Sequence, residues 1–293
     1  MKIKITGWLI AVSVATFAAQ AVPQLFVGDS ASAVPPSLQR IAGPSTATNQ
    51  DSPKNAVAYC PSGTRLVGGG GWASDQGSGK VMLTGVEPIR QGPNPPKLDY
   101  YDVWARKTDP AFSGAWSLQA YAICAAGKGL PANSGMYQHS TDDQPAAFKS
   151  LSYRCAAEQR IVSAGTTTVY TGEHVPVGVQ LVRASGPLDI TRSTAHTARG
   201  FGGNWKLTTT AICADPIPGV QVVSEVVNTA TAAVTCPAGT SVYGAGVGGS
   251  LTDSGEAFVR GLYVSPDLRT VLGAFTVTPV GGMVVQAVCA PTP

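Results

Sequence analysis

Three segments of the chain align on their cysteines, and this recurrence constrains the fold more than any other feature. The first opens Tyr59-Cys60-Pro61-Ser62-Gly63-Thr64 and reaches Gly68 and Gly70. The third opens Thr235-Cys236-Pro237-Ala238-Gly239-Thr240 and reaches Gly244 and Gly246. The middle one opens Arg154-Cys155-Ala156-Ala157 and reaches Gly165, so its opening turn has to differ. The closings read Ala122-Ile123-Cys124-Ala125, Ala211-Ile212-Cys213-Ala214 and Ala287-Val288-Cys289-Ala290. Trp116 and Trp205 each stand eight residues before the closing cysteine, and Leu118, Leu207 and Met283 stand six before it. Agreement at so many offsets marks tandem copies of one unit.

An even cysteine count in an exported chain points to disulfides. Six cysteines allow 15 connectivities, and spacing alone does not choose among them. If each repeat is one unit, its opening and closing cysteines pair: Cys60–Cys124, Cys155–Cys213 and Cys236–Cys289. Each would then contribute about 4 kcal/mol in the chain-entropy model, as an upper figure. The rival scheme links neighbouring repeats, for example Cys124 to Cys155. No close CxxC or HxxxH spacing suggests a metal, and no cofactor is implied.

The local pattern is β. Trp116, Leu118, Ala120, Ala122 and Cys124 share one face of an alternating run, and Ser117, Gln119, Tyr121 and Ile123 share the other. Trp and Cys fall on one face, which places the ring near the disulfide in the core. The glycine-rich stretch Val67-Gly68-Gly69-Gly70-Gly71-Trp72 suits bulges or close backbone approach. It lacks the Lys-Ser/Thr ending and the strand–loop–helix setting of a phosphate loop. The apolar run Val220 to Val227 reads as a buried strand.

The N-terminus reads as an export signal over residues 1–33. Lys2 and Lys4 precede an apolar run from Ile5 to Ala19, with small-residue cleavage signatures at Ala19-Gln20-Ala21 and Ala31-Ser32-Ala33. Cleavage after Ala33 is preferred to Ala21, because the chain turns polar and proline-containing there. Gln20, Pro23 and Gln24 argue against an uncleaved membrane span, so no transmembrane segment is expected after cleavage. The full chain carries 20 Lys+Arg against 17 Asp+Glu, and losing Lys2, Lys4 and Asp29 leaves a net charge of +2. That is too weak to argue for nucleic acid. The organisation expected is a mobile lead at 34–54, repeats at 55–126, 149–215 and 230–293, and linkers at 127–148 and 216–229.

The CPxGT…GxG openings and AxCA closings over about residues 55–290 resemble secreted repeat proteins of high-GC Gram-positive bacteria, most of which have no assigned function. The architecture is also similar to the β-prism of the egg vitelline-membrane outer-layer protein. This resemblance implies an all-β fold with three tandem β-sheet repeats in a pseudo-threefold, β-prism-like arrangement and three disulfides.

Signals for catalysis are thin. No GxSxG, HExxH, P-loop or dinucleotide fingerprint is present. Adjacent Glu173 and His174 point apart in a strand, and His139 with Asp142 and Asp143 reads as a solvated linker. Carboxylate pairs for glycoside hydrolysis are set by separation in space, which the sequence does not fix. The aromatic residues outside the repeat pattern are the better lead: Trp72, and Tyr100, Tyr101 and Trp104 beside Asp99 and Asp102. A ring face packs on the apolar face of a sugar while acid oxygens accept its hydroxyls. The expectation is a secreted, non-enzymatic binding module for a carbohydrate or cell-wall polymer. Its rivals are a structural or protective extracellular protein, a hydrolase, and an inhibitor presenting the Pro-rich loop at 91–97.

Overall fold

The computed structural model describes residues 37–75, 78–91, 98–170, 177–180, 190–196, 202–249 and 257–291. The export segment, the loop 92–97 and the Glu173-His174 pair lie outside them. The described residues form strands and one short 3-10 turn at Gly127–Gly129. Short alternating runs rich in Val, Thr, Ala and Gly, broken by proline and polar turns, favour this outcome over helices.

Eighteen strands are described. The first six are β1 (Leu38–Ala42), β2 (Lys54–Tyr59), β3 (Arg65–Ser74), β4 (Val81–Ile89), β5 (Tyr100–Lys107) and β6 (Ser117–Ala125). The next six are β7 (Gly135–Ser140), β8 (Phe148–Arg154), β9 (Arg160–Tyr170), β10 (Val177–Gln180), β11 (Ile190–His196) and β12 (Trp205–Ala214). The last six are β13 (Gln221–Val227), β14 (Thr231–Thr235), β15 (Thr240–Gly249), β16 (Val259–Val264), β17 (Thr270–Phe275) and β18 (Met283–Pro291). They build three open six-stranded sheets. Sheet I runs β1-β6-β3-β16-β17-β14, sheet II runs β13-β18-β15-β10-β11-β8, and sheet III runs β2-β5-β4-β9-β12-β7. Each sheet therefore takes three strands from one of the chain's thirds, 38–125, 135–214 or 221–291, and three from another.

The seams between segments are short. Trp72 and Gly71 face Gly261 and Leu262 in sheet I, Val247 faces Val179 in sheet II, and Gly85 and Val86 face Thr167 and Thr166 in sheet III. The inward faces of all three sheets supply one main core, in which Trp116 and Leu118 are fully buried, while Trp205 and Leu207, equally buried, form a small second cluster with Ala195.

A β-bulge interrupts β3, β9 and β15 at matching places, with Val67, Val162 and Tyr243 as the extra residues. The residue that follows each bulge is Gly68, Ser163 or Gly244. A methyl group on Gly68 would overlap the Tyr243 carbonyl, and one on Gly244 would overlap the Val162 carbonyl. The three bulged strands thus press backbone against backbone in the middle of the molecule.

The disulfides join Cys60 to Cys124, Cys155 to Cys213 and Cys236 to Cys289, each inside its own segment. The openings differ as their sequences require. Thr64 and Thr240 donate their N–H to the carbonyls of Pro61 and Pro237 across turns whose Gly63 and Gly239 sit at φ +80° and +77°. Only glycine takes that conformation without strain. The middle segment makes the equivalent bond, Gln159 N–H on the Ala156 carbonyl, but has Glu158 in place of the glycine and no positive φ there.

Three stretches differ from the sequence reading. The lead at 34–54 carries β1, which pairs with β6 from Leu38↔Ala125 to Ala42↔Tyr121. The linkers carry β7 and β13, which pair with β12 and β18. The run Val220 to Val227 is not a buried strand: β13 is an edge strand, and Val226 is 71% exposed. Among the described residues, no helix is long and apolar enough to cross a membrane.

Candidate ligand-binding face

Alternation along β5 divides the sequence candidates between two sides of sheet III. Tyr101, Val103 and Ala105 point into the core, and Tyr100, Asp102 and Trp104 point outward. Tyr101 is wholly buried, with its hydroxyl near the Ala164 carbonyl, and burial raises its pKa strongly. Asp99 is also buried. Its carboxylate accepts the Leu66 and Gln91 N–H groups at 3.0 Å and the Arg65 Nε–H at 2.7 Å. It fastens the turn beside the opening cysteine, and neither it nor Tyr101 can touch a ligand. Trp72 lies on sheet I, away from the rest.

Tyr100, Asp102 and Trp104 do share a face, and their cross-strand partners complete it. Asn55 and Tyr59 of β2 face Trp104 and Tyr100, and Gly85 and Glu87 of β4 face Trp104 and Asp102. Trp104 is 42% exposed and Tyr59 is 53% exposed. The Trp104 indole N–H donates to Asp102 at 2.9 Å, and the Asn55 amide donates to the same carboxylate. These bonds fix the ring and leave its outer side open. The Tyr59 and Tyr100 rings pair at 5.3 Å, tilted by 48°. Tyr100 and Trp104 stand four residues apart, roughly 13 Å along an extended strand. That spacing exceeds any single sugar ring and suits an extended chain.

Glu87 brings a second carboxylate beside Asp102, as a directly opposed pair about 5 Å apart at Cβ. Gln138 of β7 donates to Glu87 at 2.7 Å and Thr210 of β12 donates at 2.9 Å. Partial burial raises the Glu87 pKa, Asp102 adds to the rise, and the two donors oppose it. Burial likewise raises the Tyr100 pKa, with Asp102 next in effect. The face therefore combines rigid aromatic rings with acceptor oxygens held by amides and hydroxyls. This is the chemistry that grips the apolar and hydroxylated sides of a sugar.

Sequence reasoning reached Tyr100, Asp102 and Trp104 and missed Asn55, Tyr59, Glu87, Gln138 and Thr210, which other strands contribute. Glu87-Pro88-Ile89 did carry a usable alternation, but only the register with β5 places Glu87 against Asp102. His139, Asp142 and Asp143 are exposed. Among the described residues, no group of three or more His, Cys, Asp or Glu side chains could hold a metal. No protein-family model and no curated protein matches the chain, so this face has to be read from its own geometry.

Proposed function

We propose that the protein is a secreted, non-enzymatic binding module that takes a carbohydrate or cell-wall polymer on the outward face of sheet III. The observation that carries this reading is the exposed Trp104 ring, pinned by its own N–H to Asp102 and set on one sheet face with the Tyr59–Tyr100 pair. We further propose that the three sheets are the walls of a pseudo-threefold prism made from three copies of one repeat. The cyclic strand order, the matched bulges and the matched disulfides support it. Three disulfides also accord with an oxidising, extracellular destination.

The test is retention on insoluble polysaccharides and purified cell wall. The protein is compared with Trp104→Ala and with a Tyr59→Ala, Tyr100→Ala double variant. All these side chains lie on the surface, so thermal stability should stay close to wild type. Retention by one polymer, lost in both variants, is the expected result. Absence of retention on every polymer removes this reading and leaves the rigid, disulfide-tied body as a structural or protective protein.

A further inference from the structure

The outward face of sheet I differs in charge from that of sheet III. None of its six strands contains an Asp or Glu, and its charged residues are Arg40, Arg65 and Arg260. Arg65 is paired with Asp99 and Arg260 with Asp75. Among the described residues Arg40 has no carboxylate partner. Its guanidinium lies 4.0 Å from the centre of the Tyr121 ring and 5.0 Å from that of Tyr263. Its Nε is buried without a hydrogen-bond acceptor.

The rings around it are ordered by two glycines. Tyr121 of β6 faces Gly70 of β3, and the β3·β16 register continues that row to Tyr263. With no side chain between them, the two rings meet edge to face at 5.1 Å. Trp72 lies over Gly261 and meets Tyr263 at 6.3 Å, also edge to face. The result is a row of three aromatic side chains with, at its end, one guanidinium that no described carboxylate pairs, already stacked and therefore costing little further ordering on binding.

We infer that this face of sheet I is a second binding site, separate from that of sheet III, for an acidic glycan, with Arg40 taking the carboxylate and the Trp72–Tyr263 edge taking the sugar ring. A planar guanidinium matches a carboxylate in geometry as well as charge. Among the described residues, one cation without a carboxylate partner at the end of an aromatic row fits a sugar that carries a single acid. It does not fit a nucleic acid, whose phosphate backbone needs a row of cations. The site is independent of Trp104 and stands or falls without it.

The test is titration with polygalacturonate, with its methyl ester, and with duplex DNA. Wild type should bind polygalacturonate about tenfold or more tighter than the neutral ester, and Arg40→Gln should lose about tenfold, as expected for one charge-assisted contact. Arg40→Lys keeps the cation over the rings but loses the planar fork, so it should fall in between while retaining the melting temperature. Trp104→Ala should bind polygalacturonate like wild type. Equal binding of acid and ester, DNA bound as tightly as the glycan, no binding of polygalacturonate, or wild-type affinity in both Arg40 variants would each overturn the assignment.

Discussion

At the scale of single residues, the most informative comparison is between Lys54 and Lys149. Each stands six residues before an opening cysteine, and each places its ammonium 4.8 Å from the centre of a buried Trp ring, Trp116 or Trp205. Each also donates to that Trp's own carbonyl, at 2.8 and 2.6 Å. Lys54 adds bonds to the Ala47 carbonyl and to Asn49, while Lys149 adds one to the Asp142 carbonyl. Burial lowers the pKa of both amines. The third segment has Ala230 and Gly281 at these positions, so lysine and tryptophan are lost together. That joint loss identifies the pair as one device: the amine seals the carbonyls where the chain enters the closing strand, and the ring shields it. Lys54→Met leaves those carbonyls unpaired and should cost about 2 kcal/mol, read as a lower urea midpoint at unchanged slope. Lys149→Met should cost less, because its ammonium is more exposed to water. Ala230→Lys should stay within about 0.5 kcal/mol of wild type, having no ring to cover. A neutral Lys54→Met would mean the contacts hold nothing.

At the scale of strands, burial decides what the sequence could reveal. The closing strands β6, β12 and β18 lie one place in from a sheet edge and turn one side to the core, so the spacing of their cysteine from Leu118, Leu207 or Met283 is written in alternation. The strands that lead into the three cysteine-bounded segments, β1, β7 and β13, are edge strands paired on one side only. With few side chains in the core, β1 and β7 carry little apolar signal, and Gly135 to Ser140 reads as turn-rich linker and is β7; β13 is rich in valine, and what its sequence hid was its exposed place at the edge. The candidate face was half legible for the same reason. Parity within β5 groups Tyr100 with Trp104, but which parity faces water depends on the strands beside it, and Tyr101 proved to be the inward one. Glycine content was legible as close approach, but its partners were not. The residue after each bulge shows the consequence. Gly68 has no room for a side chain against the Tyr243 carbonyl, whereas the equivalent Ser163 is accommodated with its hydroxyl buried and without a partner among the described residues. Gly68→Ser should therefore cost about 3 kcal/mol or more through overpacking. Ser163→Ala should be neutral or stabilising by up to about 1 kcal/mol, because an unsatisfied hydroxyl is removed. Calorimetry separates the two, and equal effects would mean that the bulges do not press together as described.

At the scale of the whole molecule, the disulfides and the seams act on different things. Each disulfide closes a loop within its own segment, with separations of 64, 58 and 53 residues, so none of them ties one segment to the next. That task falls to the core and to the short seams. The seam of sheet I joins the first segment to the last and is the most distant in sequence, which makes it the contact that closes the chain on itself. Among the described residues two facing pairs are registered there, beside one buried ion pair. Arg260 donates to Asp75 at 3.0 Å, and the Asp75 carboxylate, without exposed surface, also accepts the Ser78 hydroxyl at 3.0 Å and the Lys80 N–H at 2.9 Å. Arg260 in turn lies 5.6 Å from the centre of the Trp72 ring. Removing one member leaves a largely buried charge without its partner, which typically costs about 3–5 kcal/mol. Asp75→Ala should therefore loosen β3 and β16 together, seen as faster amide exchange at Gly71, Trp72, Gly261 and Leu262. The β4·β9 seam, with no such pair among the described residues, should keep its protection at Gly85 and Thr167. Uniform loss of protection across all three sheets would show instead that the molecule opens as one cooperative unit, and that the ion pair contributes to global stability rather than to closure.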